Sequence, residues 1–374
     1  MEKTNKGIKK VRVGISHGDF NGIGYEVILK TFQDNRMFDF CTPIVYGSSK
    51  LASFYKKTIP EMNYNFNTVR SANQAIDNRL NIINIYHEEA KVDIGESTKL
   101  AGELSFEALE AVTQDLGHGI DVMVTAPINK DNIQCEDFNF PGHTEYLASK
   151  FGKDKELMVL ASQSMRVAVA TGHIPLKDVP ETITKELLLN KLETFEQSLK
   201  IDFGVRKARI AVLGLNAHAG DNGLLGKEEQ DIIIPAIEEA KEKGILAFGP
   251  FPADGFFGSN DFTKFDGILA MYHDQGLIPF KALSFEDGVN FTSGLNIVRT
   301  SPDHGTGYNI AGKSQADPSS FRAAVLMAVD IFNKRNQWED ISKNPLKFSV
   351  NNSGKDASME DIKPDQEFKT ETTW

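Results

Sequence analysis

The chain has 374 residues, of which 40% are hydrophobic, and its length is enough for one large domain or two ordinary ones. Its net charge of −11 argues against a general nucleic-acid-binding protein, because neutralising phosphates requires clustered Lys and Arg. The two cysteines, Cys41 and Cys135, exclude a disulfide framework and a cysteine-based zinc site.

The chain begins "MEKTNKGIKKVRVGIS", which has lysines but not the apolar stretch of a secretory signal. No run approaches the roughly 18 apolar residues of a membrane span. We therefore expect a soluble, cytoplasmic protein with neither a membrane nor a nucleic acid among its partners.

Short, near-continuous apolar runs rich in β-branched residues predict strands that are buried on both faces. There are six, at Val11–Ile15, Asp121–Pro127, Leu157–Ser162, Met165–Thr171, Arg209–Asn216 and Gly267–Tyr272. Amphipathic segments between them predict helices, one of which stops at Gly117 and another of which is kinked or begins at Pro235. The alternation predicts an α/β fold with mostly parallel strands. Residues 349–374 are polar and predict a loosely held tail.

Four of the eight histidines directly or almost directly follow a predicted strand: His17, His173, His218 and His273. Ligands of open α/β sheets bind just beyond the carboxyl ends of strands, and three converging imidazoles would form a divalent-metal site open to substrate. No local spacing supports the trio, and a single such histidine is more often a loop or helix-cap residue.

Two glycine-rich segments each allow two interpretations. Gly18–Val27, "GDFNGIGYEV", resembles a dinucleotide-binding turn, but Val27 stands where the third glycine belongs, so a tight strand-to-helix turn explains it equally well. The glycines of Asn216–Gly226 would let backbone amides approach an anion, but a flexible loop would have the same sequence.

Six segments resemble, in order, the signature segments of the 4-hydroxythreonine-4-phosphate dehydrogenase family. They read "FPGHTEYLASKF", "ATGHIPLKDVPETIT", "GLNAHAGDNGLLGKEEQDIIIPAIE", "GPFPADGFF", "AMYHDQGL" and "GVNFTSGLNIVRTSPDHGTG". The resemblance runs from about Val11 to about Lys334. Related enzymes act on 4-phospho-D-threonate or 4-phospho-D-erythronate, and a more distant relative acts on an aromatic dihydrodiol carboxylate, so these substrates stay open.

The resemblance implies a divalent metal (Zn, Mg or Co) held by His173, His218 and His273 in a site shared across a homodimer. Asp274 would accept a hydrogen bond from one of the imidazoles. The substrate contacts implied are His143, Thr144, Lys281, Asn290 and Arg299. Lys281 and Asp254 are the implied catalytic residues, and the proton-shuttling group stays open between these two and His143.

The family also resembles the isocitrate and isopropylmalate dehydrogenases, which implies two α/β/α domains with a cleft between them. The first domain would comprise residues 8–135 and 295–348, and the second, with the metal ligands and dimer interface, residues 136–294. NAD or NADP would bind the loop "HGTGYNIAGK", at His304, Gly305, Thr306 and Gly307. Departures from the family pattern at "SHGDFNGIGYE" and at Thr125–Pro127 leave the choice between NAD and NADP open.

The implied reaction is the oxidation of 4-phosphohydroxy-L-threonine to 2-amino-3-oxo-4-(phosphooxy)butanoate, which decarboxylates to 3-amino-2-oxopropyl phosphate, in pyridoxal 5′-phosphate biosynthesis. A metal-dependent hydrolase would use the same histidines but would not need the "HGTGYNIAGK" loop. A catalytically silent binding protein would not need the three histidines together with Lys281 and Arg299.

Overall fold

The computed structural model describes residues 10–60, 62, 65–86, 90–152 and 155–344. The chain divides into two units, Met1–Asn336 and Gln337–Trp374, and every strand in the described ranges belongs to the first. The tail predicted at 349–374 lies outside the described residues. Within the described ranges, no helix is long and apolar enough to cross a membrane.

The twelve strands found in the described residues form one sheet. They are β1 (Val11–Ser16), β2 (Cys41–Gly47), β3 (Asn67–Val69), β4 (Asn81–Asn84), β5 (Val122–Thr125), β6 (Leu157–Ala161), β7 (Arg166–Val169), β8 (Arg209–Leu213), β9 (Leu246–Phe251), β10 (Gly267–Ala270), β11 (Val289–Ser293) and β12 (Arg299–Pro302). Five of the six runs predicted to be strands contain one of them, and the sixth, Val11–Ile15, covers all of β1 except its last residue.

The α-helices connect these strands. They are α1 (Gly24–Gln33), α2 (Met37–Phe40), α3 (Ser49–Thr58), α4 (Lys99–Gln114), α5 (His143–Phe151), α6 (Val179–Thr182), α7 (Lys185–Ile201), α8 (Ile234–Glu242), α9 (Ala253–Gly258), α10 (His273–Leu283) and α11 (Ser319–Ser342). Helix α4 ends three residues before Gly117, which has a positive φ of 78°. Pro235 lies in the first turn of α8, which continues directly from a π-helical turn, Glu229–Ile233, so the proline lies where an irregular helical turn becomes a regular α-helix.

The strand order is β3-β4-β2-β1-β5-β12-β11-β6-β7-β10-β8-β9. The first six strands are parallel to one another, and so are the last four. Strands β11 and β6 join the two groups through antiparallel pairs, so the groups point in opposite directions. The predicted α/β class is confirmed.

Strands from residues 8–135 and 295–348 occupy one side of the sheet, and those from residues 136–294 occupy the other. The domain boundaries drawn from the sequence stay a prediction, because the structure groups Met1–Asn336 as one unit.

The core follows from the near-continuous apolar strands. Every residue of β5 and of β10 is buried, as expected where helices cover both faces of a sheet. Each fully buried Val, Leu, Ile or Phe contributes roughly 1.5–3 kcal/mol of transfer free energy. This packing fixes the strand ends, which carry the polar residues described next.

Candidate active site

A polar cavity of about 270 Å³ lies at the centre of the sheet, beside the antiparallel strands. Its walls come from the segment after β5, the start of α5, strands β6, β11 and β12, and the residues that follow β7, β10 and β12. Residues at the carboxyl ends of strands from both parallel groups line this one cavity. Most of the site residues expected from the sequence line it, namely His143, Thr144, His173, His273, Lys281, Asn290, Arg299, His304 and Gly305.

Arg299, the first residue of β12, is only 2% exposed. Its Nη2 and Nε donate hydrogen bonds of 2.7 and 3.2 Å to the Thr125 hydroxyl, and Nη1 donates one of 3.4 Å to the Thr292 hydroxyl. Among the described residues, no carboxylate lies within salt-bridge distance of Arg299. Burial lowers the pKa of Arg299 to about 10, and the charge of Glu145 offsets this in part. A buried cation held by neutral hydroxyls is suited to receive an anionic ligand.

Several side-chain atoms around the cavity are buried and lack a hydrogen-bond partner within the described part of the chain. They are His143 Nε2, Glu145 Oε2, Asn290 Oδ1 and His304 Nε2. Burial, together with the charges of Arg299 and Lys130, holds the pKa of His143 well below its ordinary value, so its imidazole is neutral. Since a buried polar atom without a hydrogen-bond partner costs free energy, a polar ligand would supply the missing partners of these atoms.

His173 and His273, which follow β7 and β10, lie side by side with ring centroids 5.5 Å apart. Nδ1 of His173 is 3.1 Å from Glu145 Oε1, and Nδ1 of His273 is 2.7 Å from Asp274 Oδ1, the contact expected from the sequence. When a carboxylate holds Nδ1, the Nε2 atom is left as a metal-ligating atom. The donor chemistry of this pair therefore fits two ligands of a divalent metal.

Glu145 is the carboxylate that orients His173, and it was not among the predicted site residues. Burial by itself would raise the pKa of Glu145, but the hydrogen bond to His173 and the charge of Lys130 outweigh it, so its pKa is lowered. The Lys130 ammonium lies 3.5 Å from Nε2 of His173. A signal for Glu145 was present in the sequence, because it stands two residues after His143 in the quoted "PGHTEY" segment.

His218, the third predicted metal ligand, does not line the cavity. It is exposed, in the segment Ala217–Gly223 after β8, and has a left-handed backbone conformation (φ 53°, ψ 26°). In the part of the chain that the structure describes, no three His, Cys, Asp or Glu residues are grouped to hold a metal ion. One copy of the chain thus brings together two of the three predicted ligands.

Lys281, in the last turn of α10, faces the cavity but already has a partner. Its Nζ lies 3.2 Å from Asp303 Oδ1 and donates a hydrogen bond of 3.1 Å to the Asp303 carbonyl. Burial raises the pKa of Asp303 in spite of the nearby Lys281 charge. Asp254, in the first turn of α9, is exposed and is not among the cavity-lining residues, so its catalytic role stays a prediction.

The glycine turn after β1 packs against the predicted cofactor loop. The amide of Ile23 donates a hydrogen bond of 2.9 Å to the carbonyl of Thr306, and a Cβ on Gly22 would lie 2.4 Å from that oxygen. The Tyr308 hydroxyl donates one of 2.7 Å to Asp19 Oδ2. Gly22 therefore serves close backbone packing, as expected of a tight strand-to-helix turn. Gly307 lies in the same loop and, like Thr306, does not line the cavity.

His17, the fourth strand-end histidine, does not line the cavity either. It is fully buried, with its ring stacked on Tyr25 at a centroid distance of 5.2 Å and its Nε2 3.4 Å from the Tyr86 hydroxyl. Burial lowers the pKa of His17 to about 4, although a backbone hydrogen bond at Gly18 raises it in part. This imidazole is a neutral core residue.

A second polar cavity, of about 420 Å³, is lined by the partly buried Arg335 and by Asp202. Arg335 Nε lies 2.6 Å from Asp202 Oδ1, and Arg335 Nη1 donates hydrogen bonds to the carbonyls of Leu295 and Ile297. The other Asp202 oxygen accepts a hydrogen bond of 2.7 Å from Ser198. Here the counter-ion is part of the protein.

Comparison with known proteins shows the family of this chain. Residues 39–328 match the family model of the pyridoxal phosphate biosynthetic protein PdxA. The chain is 54% identical over 340 residues to a 4-hydroxythreonine-4-phosphate dehydrogenase from Bacteroides thetaiotaomicron, covering 90% of this chain and 93% of the relative. It is 42% identical over 322 residues to one from Sulfurihydrogenibium sp., covering 85% and 98%.

A solved 4-hydroxythreonine-4-phosphate dehydrogenase from Klebsiella pneumoniae superimposes with a TM-score of 0.74 at 31% identity, covering 88% of this chain and 99% of that one. The fold and these relatives define the class of protein as an oxidoreductase. Within that class, the chain belongs to the PdxA family of 4-hydroxythreonine-4-phosphate dehydrogenases.

Proposed function

We propose that this chain catalyses the NAD- or NADP-dependent oxidation of 4-phosphohydroxy-L-threonine in pyridoxal phosphate biosynthesis. The product, 2-amino-3-oxo-4-(phosphooxy)butanoate, is a β-keto acid that decarboxylates to 3-amino-2-oxopropyl phosphate. The observation that carries the proposal is Arg299, a buried cation without a carboxylate partner among the described residues, facing a polar cavity in a chain of this family. A phosphorylated amino acid supplies the missing negative charge.

The roles of the cavity residues follow from their charge and partners. Arg299 and Lys281 would bind the anionic groups of the substrate, since charge-assisted hydrogen bonds are the strongest that a protein offers to phosphate or carboxylate. The unpartnered atoms of His143 and Asn290 would hydrogen-bond its hydroxyl and amino groups. These contacts would orient the substrate for reaction.

The segment His304–Gly307 would hold NAD or NADP, as the resemblance implies, and His304 and Gly305 also line the cavity. When bound, the nicotinamide supplies the hydride acceptor. The contacts of Ile23 with Thr306 and of Tyr308 with Asp19 support this role, because they hold the loop against the glycine turn.

A divalent metal (Zn, Mg or Co) would be held by His173 and His273 of one subunit and His218 of the partner subunit, in a cytoplasmic homodimer. The support is that His173 and His273 adjoin with their Nδ1 atoms on carboxylates, while His218 is exposed on a separate segment. When bound, the metal supplies a Lewis acid that lowers the pKa of a coordinated substrate hydroxyl. The group that accepts the hydroxyl proton stays open between Lys281, His143 and Asp254.

The test is NAD(P) reduction followed at 340 nm with three substrates: 4-phosphohydroxy-L-threonine, 4-phospho-D-threonate and 4-phospho-D-erythronate. We expect the first to give the highest kcat/KM and a chelator to abolish turnover. A preference for either hydroxy acid would assign the chain to those related activities. Hydrolysis without reduction of either nucleotide would favour a metal-dependent hydrolase and contradict the proposal.

A further inference from the structure

The segment that carries His218 has an unusual backbone. Five consecutive residues lie in the left-handed region, with φ between 42° and 80°: His218, Ala219, Gly220, Asp221 and Asn222. Residues other than glycine visit this region as isolated positions, with Asn, Asp and His more tolerant than Ala. A continuous left-handed turn through His218 and Ala219 is therefore disfavoured by its own sequence. Such a conformation persists only where surrounding groups impose it.

The carboxylate of Glu229, which is 2% exposed, lies against this turn. Its Oε1 accepts hydrogen bonds of 2.8 and 2.7 Å from the amides of Leu215 and Asn216, the two residues that lead into the turn. Its Oε2 accepts one of 3.0 Å from the Asn216 side chain. A Cβ on Gly220 would lie 2.5 Å from Oε2, so the turn is also packed directly against the carboxylate.

Glu229 is itself held at the start of a π-helical turn, Glu229–Ile233, which leads into α8. Pro235 follows in the first turn of α8, and because proline lacks an amide hydrogen, regular α-helical bonding cannot continue through it. The left-handed turn and the irregular start of the helix are thus linked by a single buried carboxylate, that of Glu229.

We propose that Glu229 is a positioning residue for His218: it fixes the left-handed turn that directs this imidazole away from its own chain. This inference rests on the metal role proposed above for His218. Glu229 touches neither the cavity nor the other two imidazoles, so it acts on the site through the backbone of Leu215–Gly220.

The experiment uses Co²⁺ as a probe of the purified full-length protein, because its visible absorption reports the number and geometry of its ligands. Co²⁺ affinity and spectrum are measured for the wild type and for His218→Ala, Glu229→Ala and Glu229→Gln. The matched control is Glu228→Gln, which removes the charge of a partly exposed neighbour that also accepts a hydrogen bond from Asn216, at 2.7 Å.

We expect Glu229→Ala to weaken Co²⁺ binding about ten- to a hundredfold and to give the altered spectrum of His218→Ala. Glu229→Gln keeps an acceptor for the two amides, so its Co²⁺ affinity should lie between those of the wild type and Glu229→Ala. If the alanine variant does not fold, the affinity of Glu229→Gln tests the proposal instead. Glu228→Gln should match the wild type.

Wild-type affinity and spectrum in both Glu229 variants, with loss in His218→Ala, would overturn the positioning role while leaving the metal proposal intact. Unchanged Co²⁺ binding in His218→Ala would overturn the metal role of His218 and this inference together.

Discussion

Two arginines of this protein are largely buried beside polar cavities, and they differ in what neutralises them. Arg335 lies 2.6 Å from the Asp202 carboxylate, which is itself only 5% exposed. Arg299 is bonded to two threonine hydroxyls, and its pKa is lowered to about 10 by burial. An ion paired within the chain serves the fold, whereas a buried cation without a counter-ion costs stability until a ligand provides one. The difference supports our proposal that the cavity at Arg299, rather than the one at Arg335, binds the anionic substrate.

Breaking the paired arginine should have the largest effect on stability. Arg335→Ala leaves the buried Asp202 carboxylate without its cation, so we expect the free energy of unfolding to fall by about 3–5 kcal/mol. Denaturant titration of the variant and wild type measures this. KM for the phosphorylated substrate should stay near the wild-type value, and a large rise in KM would show that the second cavity also serves the reaction.

His17 differs from both arginines, because it is a buried ionisable group that stays neutral and has no counter-ion. Burial lowers its pKa from 6.5 to about 4, so between these pH values the unfolded chain binds a proton that the folded chain does not. The contribution of this neutral imidazole to the free energy of unfolding is fully present above pH 6.5. It is lost as the pH falls towards 4, by up to about 3 kcal/mol.

His17→Phe should flatten the dependence of unfolding free energy on pH across this window, as measured by denaturant titrations at closely spaced pH values. The exposed His118 provides the control, because His118→Gln should keep the wild-type slope. A slope unchanged by the loss of His17 would mean that other groups account for acid sensitivity.

Removing the unpaired arginine should affect binding rather than folding. Arg299→Ala loses charge-assisted contacts worth roughly 1.5–3 kcal/mol, so KM for the phosphorylated substrate should rise about ten- to a hundredfold. KM for NAD or NADP should change much less, and steady-state kinetics with each substrate varied in turn separates the two. Equal losses for both ligands would place Arg299 in a structural role.

The smallest effect is expected at the partly exposed pair of Lys281 and Asp303, whose side chains are 44% and 17% exposed. Asp303→Asn removes a carboxylate that competes with substrate anions for Lys281. An exposed pair is worth about 1 kcal/mol or less, so inorganic phosphate should inhibit the variant about two- to fivefold more strongly. Weaker inhibition by phosphate would indicate that Asp303 instead holds Lys281 in place for the anion.

Much of the fold was predictable from residues whose local pattern decides their structure. The buried strands β1, β5, β6, β7, β8 and β10 are continuous apolar runs. The expectation that residues at the carboxyl ends of strands lie close together holds for His173 and His273. Strands β12 ("RTSP") and β4 ("NIIN") were missed because each has only four residues and at least two of them are polar. Pairing with distant neighbours makes these segments strands.

The site was less predictable where long-range packing decides it. The resemblance indicated Arg299 as a substrate contact, but its burial and its threonine partners arise from β12 pairing with β5 and β11. Similarly, the segment after β10 turns directly into α10 at His273, with Pro279 inside the helix, which no local signal indicated. The left-handed turn at His218 depends on Glu229, eleven positions later, rather than on the residues that form it.

The pairing of β5 with β12 determines how late one part of the fold can form during synthesis. Arg299 and Thr125, which hydrogen-bond across this pair, are 174 positions apart in the chain. During synthesis, strands β1 to β5 emerge first, and the edge of β5 that receives β12 stays open until the six strands β6 to β11 have been translated. The cavity at Arg299 is therefore among the last features to form on the ribosome, and a chain released before Arg299 would have an uncovered sheet edge and an incomplete cavity.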